Sequence, residues 1–386
     1  MIYLDNAATT MVPKNIAEEM MRIYTSAYGN PGSLHSFGLE AKKMVESARR
    51  SISTIIGANP EQIVFISGAS EGNSMVFRTV KDEFHEEGGD SFYSIVSSIE
   101  HDSVIKVAND VGFVAKISPD ASTTITTDMI KTADKGSYRL VSVMAANNEV
   151  GIVNDVKALC DAAHEIGALF HTDCVQALGS VPINVHDIGC DFATFSAHKI
   201  NGPKGIGALY VKEPGRWKPM IFGGINQEFG LRGGTENVPA IVGFGMACDE
   251  LSRIGGKMAK MNNMKKKLFV STLRMSLSDM GLDDGFVVNG PMDCLCNGSK
   301  VVSMMAPGID AETLILAASA RGVCISAGAA CSGLEQEPSH VLKAIGLTDN
   351  EARQSFRVSF SHMTTVQDVY DGACIIAECI AALKGR

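Results

Sequence analysis

The residues best suited to chemistry are polar side chains that directly follow short apolar runs. Lys199 comes just after the run 191–195, and Asp173 follows the run 168–172. A lysine at the mouth of a buried sheet can have its pKa lowered enough to form a Schiff base with an aldehyde. Lys204 is an alternative lysine that spacing does not exclude, and either lysine could instead be a solvated surface residue. Asp173 could pair with a cationic cofactor nitrogen or cap the next helix.

Three other segments follow apolar runs in the same way. The stretch 67–73, SGASEGN, is rich in small residues and precedes a helical pattern. Backbone N–H groups at a helix start can bind an anion, although glycine is also common there for steric reasons. His101 and Asn148 follow two further runs and could orient a ligand or cap a loop. Taken together, a phosphate seat, an acid and a lysine are what pyridoxal phosphate (PLP) requires, and they predict a site for it.

The elements that must position these residues alternate along the first two thirds of the chain. Candidate strands lie at 63–67, 92–97, 140–145, 168–172, 191–195 and 206–211, with helical patterns at 37–56 and 158–166. Repeated strand–helix–strand units predict an α/β fold with a mostly parallel sheet flanked by helices. Ligands of such sheets bind outside the carboxyl ends of the strands, which is where the polar residues fall.

The pattern changes near residue 255. A basic, methionine-rich helical stretch at 257–277 is followed by short strands at 286–288 and 300–304 and by a helix at 311–321. A chain of 386 residues also exceeds what one hydrophobic core usually supports. We therefore expect a large domain at 14–254 and a smaller α+β domain formed by 1–13 and 255–386.

Composition excludes several classes of function. The net charge of −9 and the absence of dense Lys/Arg runs argue against direct nucleic-acid binding. No apolar run reaches 18 residues and no signal-peptide pattern begins the chain, so we expect a cytoplasmic protein without membrane association. The ten cysteines include no C-x-x-C pair, and the lone Cys294-x-Cys296 is a weak metal signal. No metal site is expected.

The motifs in order are similar to those of NifS/IscS-type cysteine desulfurases, in the class V aminotransferase family, over nearly the whole chain. The shared segments are YLDNAATT at 3–10, GNP at 29–31, SGASE at 67–71, EH at 100–101, NNEVG at 147–151, DCVQ at 173–176, SAHK at 196–199, GTEN at 234–237, SAGAAC at 326–331 and EPSHVL at 337–342. The resemblance implies PLP fold type I, with a seven-stranded, mostly parallel sheet in the large domain.

The resemblance also implies how the cofactor is held. Lys199, rather than Lys204, would form the Schiff base, Asp173 would pair with the pyridinium nitrogen, and His101 would stack on the ring and transfer protons. Gln176 and Asn148 would face the phenolic oxygen of the cofactor. The phosphate would bind to a set that includes Thr235 from a partner subunit of a homodimer: Ala69, Ser70, Ser196, His198 and Thr235.

For the substrate, the resemblance implies that Arg357 binds the carboxylate, with Asn148 nearby, since a guanidinium suits bidentate binding. Cys331 would take sulfur from L-cysteine as a persulfide and leave L-alanine. Small residues flank Cys331, and the loop up to Pro338 has the longer of the two lengths found in the family. Members with that form usually pass sulfur to a separate acceptor protein, for iron–sulfur cluster assembly or for thiolation of tRNA or cofactors.

Alternatives from the same family are a selenocysteine lyase or another class V enzyme; a third possibility is a PLP-binding scaffold without activity. Retention of Lys199, Asp173, His101, Arg357 and Cys331 together argues against the scaffold. Four stretches depart from the family pattern: 225–229, 299–303, Ser361-His362, and Ala197 before the His-Lys pair. These departures bear on substrate access, dimer contacts and acceptor choice.

Overall fold

The computed structural model describes residues 1–120, 124–224, 227–291, 294–327 and 337–385. Its helices are α1 Lys14–Ser26, α2 Ser36–Ile56, α3 Ala69–Glu86, α4 Asp102–Val111, α5 Asp128–Lys131, α6 Val156–Glu165, α7 Val185–Ile188, α8 Val238–Ile254, α9 Lys257–Asp279, α10 Ala311–Ala320, α11 His340–Ala344, α12 Asp349–Arg353 and α13 Val366–Leu383. Its strands are β1 Ile2–Tyr3, β2 Ile63–Ile66, β3 Tyr93–Ser97, β4 Phe113–Ile117, β5 Leu140–Ser142, β6 Leu169–Asp173, β7 Phe192–Ser196, β8 Gly207–Val211, β9 Val287–Val288, β10 Val301–Met305, β11 Val323–Cys324, β12 Ser326–Ala327 and β13 Ser355–Ser359.

The central sheet has seven strands in the order β2-β8-β7-β6-β5-β3-β4. Every pair from β7 to β4 is parallel, and β8 pairs antiparallel with both β2 and β7. This confirms the mostly parallel sheet predicted from the alternating pattern. β4 was not predicted, because it is a half-exposed edge strand and lacks the continuous apolar run that marks the buried strands.

Helices cover both faces of this sheet, as the alternating pattern predicts. On one face, α2 packs with buried residues at helical spacing, including Ala41, Val45 and Ile52, and it ends at Gly57 in the left-handed conformation with φ of 69°. On the other face, Phe77 of α3 and Phe192 of β7 lie in a separate buried cluster. Both clusters exclude water from the sheet, which fixes the carboxyl ends of its strands.

A second, four-stranded antiparallel sheet has the order β12-β13-β10-β9. It packs with α9, α10 and α13 around buried residues such as Phe269, Phe356 and Ile376. Leu4 belongs to the same core, and β1 pairs in parallel with β11. The N-terminal strand is therefore built into the region formed by the later part of the chain. The domain limits proposed from the sequence stay a prediction.

The N-terminal segment then crosses from this second region to the central sheet. The Asn6 side chain donates to Ser359 O at 2.9 Å, and Ala7 N donates to Ser359 Oγ at 2.8 Å. Further along, Thr10 N and Thr10 Oγ1 both donate to His198 O. Residues 5–10 thus lie between β13 and the turn that follows β7, where they help to form the candidate site.

Two further observations concern the described ranges as a whole. None of their helices combines the length and apolarity needed to cross a membrane. They contain no cluster of three or more His, Cys, Asp or Glu side chains arranged to hold a metal ion.

Candidate active site

Lys199 ends a short 3-10 turn, Ala197–Lys199, at the carboxyl end of β7. Its amine donates to the carbonyl oxygens of Ala7 at 2.5 Å and Ala8 at 2.7 Å. The turn is held by Asn201, which adopts a left-handed φ of 67° and donates its backbone N–H to Thr10 Oγ1 at 2.7 Å. The strand end and the N-terminal segment together direct the Lys199 amine to one place.

The side chains of Gln176 and Lys199 lie close together, at the backbone carbonyl of Ala7. Its side-chain amide N–H donates to Ala7 O at 3.0 Å, so both side chains contact the same carbonyl. Gln176 is buried, and its Oε1 has no hydrogen-bond partner within the part of the chain that the structure describes. An orphaned amide oxygen beside a lysine is costly in a finished core and favours a site that receives a further group.

Asp173 is the last residue of β6 and is 4% exposed. Its carboxylate accepts from Asn73 Nδ2 at 3.0 Å and from Val175 N at 2.9 Å. The second bond stabilises the turn after β6, so part of the capping alternative is realised, although no helix begins there. A buried carboxylate held by neutral donors provides a place for a cationic nitrogen.

Asn73 joins Asp173 to His101. Its amide group donates both to Asp173 Oδ2 and to Ser103 Oγ, each at 3.0 Å, and Ser103 Oγ lies 2.9 Å from His101 Nδ1. His101 caps α4, with Nδ1 accepting from Ser103 N at 3.1 Å. Because Nδ1 accepts, the proton of the neutral ring lies on Nε2.

Asn73 and Ser103 are site residues that the sequence analysis missed. Asn73 lies one helical turn after Ala69, at the end of the SGASEGN stretch, and Ser103 lies two residues after His101. Residues four apart share a helix face, so this spacing could have indicated Asn73.

The anion seat predicted at 67–73 forms the start of α3, which has 18 residues. Its N-cap is Gly68, which provides no capping side chain, while Ser70 is exposed and Ala69 is half-buried. Glu71 instead accepts from Ser67 N at 2.7 Å and from Arg232 Nε at 2.9 Å. The helix start therefore presents backbone donors and positive dipole potential beside the strand ends.

His198 and Ser196 flank the same region from the end of β7. Ser196 is buried, and His198 Nδ1 lies 3.1 Å from Thr9 Oγ1. Burial, followed by the charges of Lys199, Lys204 and Lys300, lowers the pKa of His198 to about 4. The imidazole is therefore neutral at pH 7, and it provides polarity without charge.

Arg357 reaches the site from the second sheet. It lies on β13, is 1% exposed, and donates Nη2 to Asp5 Oδ1 and Nη1 to Asn148 O, both at 2.9 Å. Asn148 contacts this arginine through its backbone carbonyl. The pKa of Asp5 is raised because burial outweighs the stabilising charges of Arg357 and Lys199. Arg357, Asp5 and Lys199 consequently face one another across the boundary between the sheets.

Two site predictions are not brought into this cluster. Cys331 lies outside the described residues. Thr235 is exposed on the single chain, on the segment between Arg232 and α8, and its contribution to a partner subunit stays a prediction.

The segment 225–229 departs from the family pattern, and the structure of its residues 227–229 shows what the different residues do. Glu228 and Phe229 both have positive φ, of 41° and 57°, which is unfavourable for residues other than glycine. Glu228 is buried and binds the Arg49 guanidinium at 2.9 and 2.8 Å, while Phe65 N donates to it at 2.6 Å. The ion pair fixes this strained turn near the start of the central sheet.

The residues present fit PLP. The orphaned amide oxygen of Gln176 would suit the phenolic O–H, the buried carboxylate of Asp173 the ring nitrogen, the Lys199 amine the carbonyl carbon, and the uncapped start of α3 the phosphate.

The comparisons with known proteins identify the family of this chain. The class V aminotransferase family matches residues 2–371, and the chain belongs to that family. Among its relatives, a cysteine desulfurase of Nostoc sp. (strain PCC 7120 / SAG 25.82 / UTEX 2576) is 34% identical, with 99% of this chain and 94% of the relative covered. A putative cysteine desulfurase IscS 1 of Bacillus subtilis (strain 168) is also 34% identical, with 99% of each chain covered.

Solved structures extend the similarity to the whole fold. A NifS-like protein superposes with a TM-score of 0.88 at 31% identity, covering 100% of both chains. SspA, solved in complex with cysteine, has a TM-score of 0.78 at 31% identity and covers 95% of this chain and 100% of its own. The resemblance to NifS-like proteins and the fold predicted from it are confirmed.

Proposed function

We propose that this protein is a PLP-dependent cysteine desulfurase that converts L-cysteine to L-alanine and transfers the sulfur to Cys331. The observation that carries the proposal is the convergence of Lys199 and Gln176 on the Ala7 carbonyl, beside the buried Asp173. Full-length similarity to cysteine desulfurases supports this reaction among those of the class V family.

The cofactor would be held by the residues already described. Lys199 would bind it covalently, Asp173 would face the ring nitrogen, and Ser70, Ser196 and the start of α3 would bind the phosphate. When bound, PLP withdraws electrons from the substrate Cα and so makes removal of the Cα proton possible. The Asn73–Ser103 link keeps Asp173 and the His101 ring in fixed positions relative to each other.

Arg357 would bind the substrate carboxylate. Its guanidinium is buried and already faces the carboxylate of Asp5, so the incoming carboxylate must share or displace that contact. Once the substrate is bound, the Lys199 amine can take the Cα proton and return it during formation of alanine.

Cys331 would then take the sulfur. Its thiolate attacks the substrate sulfur, so that an S–S bond forms as the C–S bond breaks. The electron pair of the C–S bond stays with the substrate fragment, which gains protons and leaves as alanine. The persulfide on Cys331 passes its outer sulfur to an acceptor, and with a small thiol as reductant the product is sulfide.

The remaining parts of the proposal concern partners. We propose a cytoplasmic homodimer in which Thr235 completes the phosphate seat of the other subunit, and a separate acceptor protein that receives sulfur for iron–sulfur assembly or thiolation. The exposure of Thr235 supports the first part. A monomer in sedimentation that desulfurates cysteine at full rate would contradict it.

The test of the reaction is to incubate the purified protein with L-cysteine and dithiothreitol and to measure alanine and sulfide. Lys199→Ala should abolish turnover and the borohydride-trapped cofactor adduct, whereas the matched Lys204→Ala should keep the adduct at Lys199. Cys331→Ala should keep the yellow cofactor and bind cysteine but release no sulfide. Brief exposure of the wild type to cysteine should add about 32 Da at Cys331, the mass of one sulfur that a persulfide carries. Wild-type desulfuration by Cys331→Ala would overturn the persulfide mechanism.

A further inference from the structure

Lys300 is a buried lysine within the departing segment 299–303, and the mechanism above does not use it. It directly precedes β10 in the second sheet, and its backbone oxygen accepts from Phe360 N at 3.0 Å. Its side chain extends into the protein, and the residue is 3% exposed. Lysine is among the residues least often fully buried, so this position requires a physical reason.

The Lys300 amine ends at the residue that would carry the cofactor. Nζ donates to the backbone oxygen of Lys199 at 2.7 Å. This bond joins the second sheet directly to the turn after β7. It therefore restrains the peptide from which the Lys199 side chain extends.

The groups around Lys300 are mainly basic. Burial, and then the charges of Lys199 and Arg357, lower its pKa to about 7. The charge of Lys300 also contributes to the lowered pKa of His198. The acidic group nearby is Asp5 of the N-terminal segment, and the charge of Lys199 acts to lower its pKa. Because electrostatic interaction is reciprocal, a charged Lys300 disfavours the protonated form of Lys199 as well.

We propose that Lys300 is a positioning residue that holds the Lys199 peptide through its hydrogen bond and places a second cationic group near the Lys199 nitrogen. The inference rests on the proposed function, in which Lys199 binds the cofactor. Lys300 acts from the second sheet in two ways, through its hydrogen bond to the Lys199 carbonyl and through its positive charge. Both would help the Lys199 nitrogen to exchange protons near neutral pH.

Lys265 provides a matched control. It is also a buried lysine, 2% exposed, and it donates to a backbone carbonyl, Ser361 O, at 2.7 Å. Burial lowers its pKa to about 8, and the charge that acts on it is Asp368 rather than Lys199. Loss of Lys265 should therefore cost packing and one hydrogen bond without changing the potential at Lys199.

The experiment is a pH titration of the visible absorption of the cofactor-loaded protein without cysteine. Lys300→Met should raise the midpoint of the spectral change by about one pH unit, because a neighbouring positive charge is lost. Lys265→Met should leave the midpoint unchanged. Lys300→Arg should lower it below the wild-type value, because arginine stays charged throughout the titration.

An unchanged midpoint in both Lys300 variants would overturn the inference, as would equal shifts in Lys300→Met and Lys265→Met. If Lys300→Met does not fold, the direction of the Lys300→Arg shift decides alone. Failure of the proposed function has a different signature, since the wild type would then lack the yellow cofactor or release no alanine from cysteine.

Discussion

Two buried arginines, Arg49 and Arg357, each pair with a carboxylate, but the surroundings of the two carboxylates differ. Arg49 is 4% exposed, and both of its terminal nitrogens bind the carboxylate of Glu228, whose side chain is 3% exposed. The guanidinium also lies over the rings of Phe65 and Phe229, at 4.6 and 5.0 Å. The pair is enclosed on all these sides, and it holds a strained turn in place.

Arg357 is equally buried, but its carboxylate partner is not. The Asp5 side chain is 18% exposed, and its pKa is raised because burial outweighs the attraction of Arg357. Asp5 therefore holds its charge less firmly than a carboxylate in an optimised ion pair. Enclosure of the carboxylate partner, rather than of the arginine, therefore separates a structural guanidinium from one that can receive a substrate carboxylate.

The largest effect should come from Glu228→Gln, which removes the buried counter-ion of Arg49 and leaves only the half-exposed Glu46, whose Oε1 lies 3.2 Å from Arg49 Nε. We expect the free energy of unfolding to fall by about 3–5 kcal/mol, the usual cost of breaking a buried pair. The folded variant should keep the wild-type KM for cysteine. Denaturant titration measures the first quantity and steady-state kinetics the second.

The matched control for Glu228→Gln is Asp110→Asn, since Asp110 pairs with Arg78 at 2.8 Å on the surface with side chains 61% and 50% exposed. Its cost should stay below about 1 kcal/mol. Equal losses in the two variants would show that enclosure does not distinguish the pairs.

Arg357→Met should have the next largest effect, and on catalysis. We expect kcat/KM for L-cysteine to fall about 100-fold, because a charge-assisted, bidentate contact with the substrate carboxylate is lost. The cofactor absorption should remain, since Arg357 is assigned to the substrate. Kinetics of alanine release give the result, with Arg78→Met as an exposed arginine control. A variant with wild-type kcat/KM would remove Arg357 from the substrate site.

Asp5→Asn should have a smaller effect, in the opposite direction. The substrate carboxylate no longer competes with Asp5 for Arg357, so KM for cysteine should fall by about threefold to tenfold, as expected when one charged competitor is lost. A rise in KM would instead mean that Asp5 orients Arg357 for the substrate. The change in KM is read at saturating cofactor so that PLP occupancy does not contribute.

The smallest effect concerns the pH dependence of stability. The folded-state pKa of Asp5 is raised above the ordinary 3.8, so its protonation stabilises the folded state below that value and this contribution is lost as pH rises through the folded pKa. The stability of Asp5→Asn relative to the wild type should therefore be higher at pH 7 than at pH 4. Thermal melts at the two pH values measure the difference, and the opposite sign would mean that the ion pair stabilises the fold.

Much of the central sheet could be predicted from the sequence because it is encoded locally. The buried strands are continuous apolar runs, and α2 shows its helical spacing and its terminal Gly57. β4 could not be predicted, since an edge strand needs fewer apolar residues and is formed mainly by pairing with β3. The spacing of the lysines does not distinguish Lys199 from Lys204. Only the family resemblance of the SAHK motif at 196–199 favours Lys199.

Local sequence is enough to place Asp173, His101 and Lys199 after strands, because each of them follows an apolar run. What these residues contact depends instead on the packing of elements that lie far apart in the chain. The Asn73 bridge between Asp173 and Ser103, and the bond from Lys300 to Lys199, join residues 30 to 101 positions apart. No local pattern encodes such contacts, because they depend on how separate elements pack once water is excluded from the core.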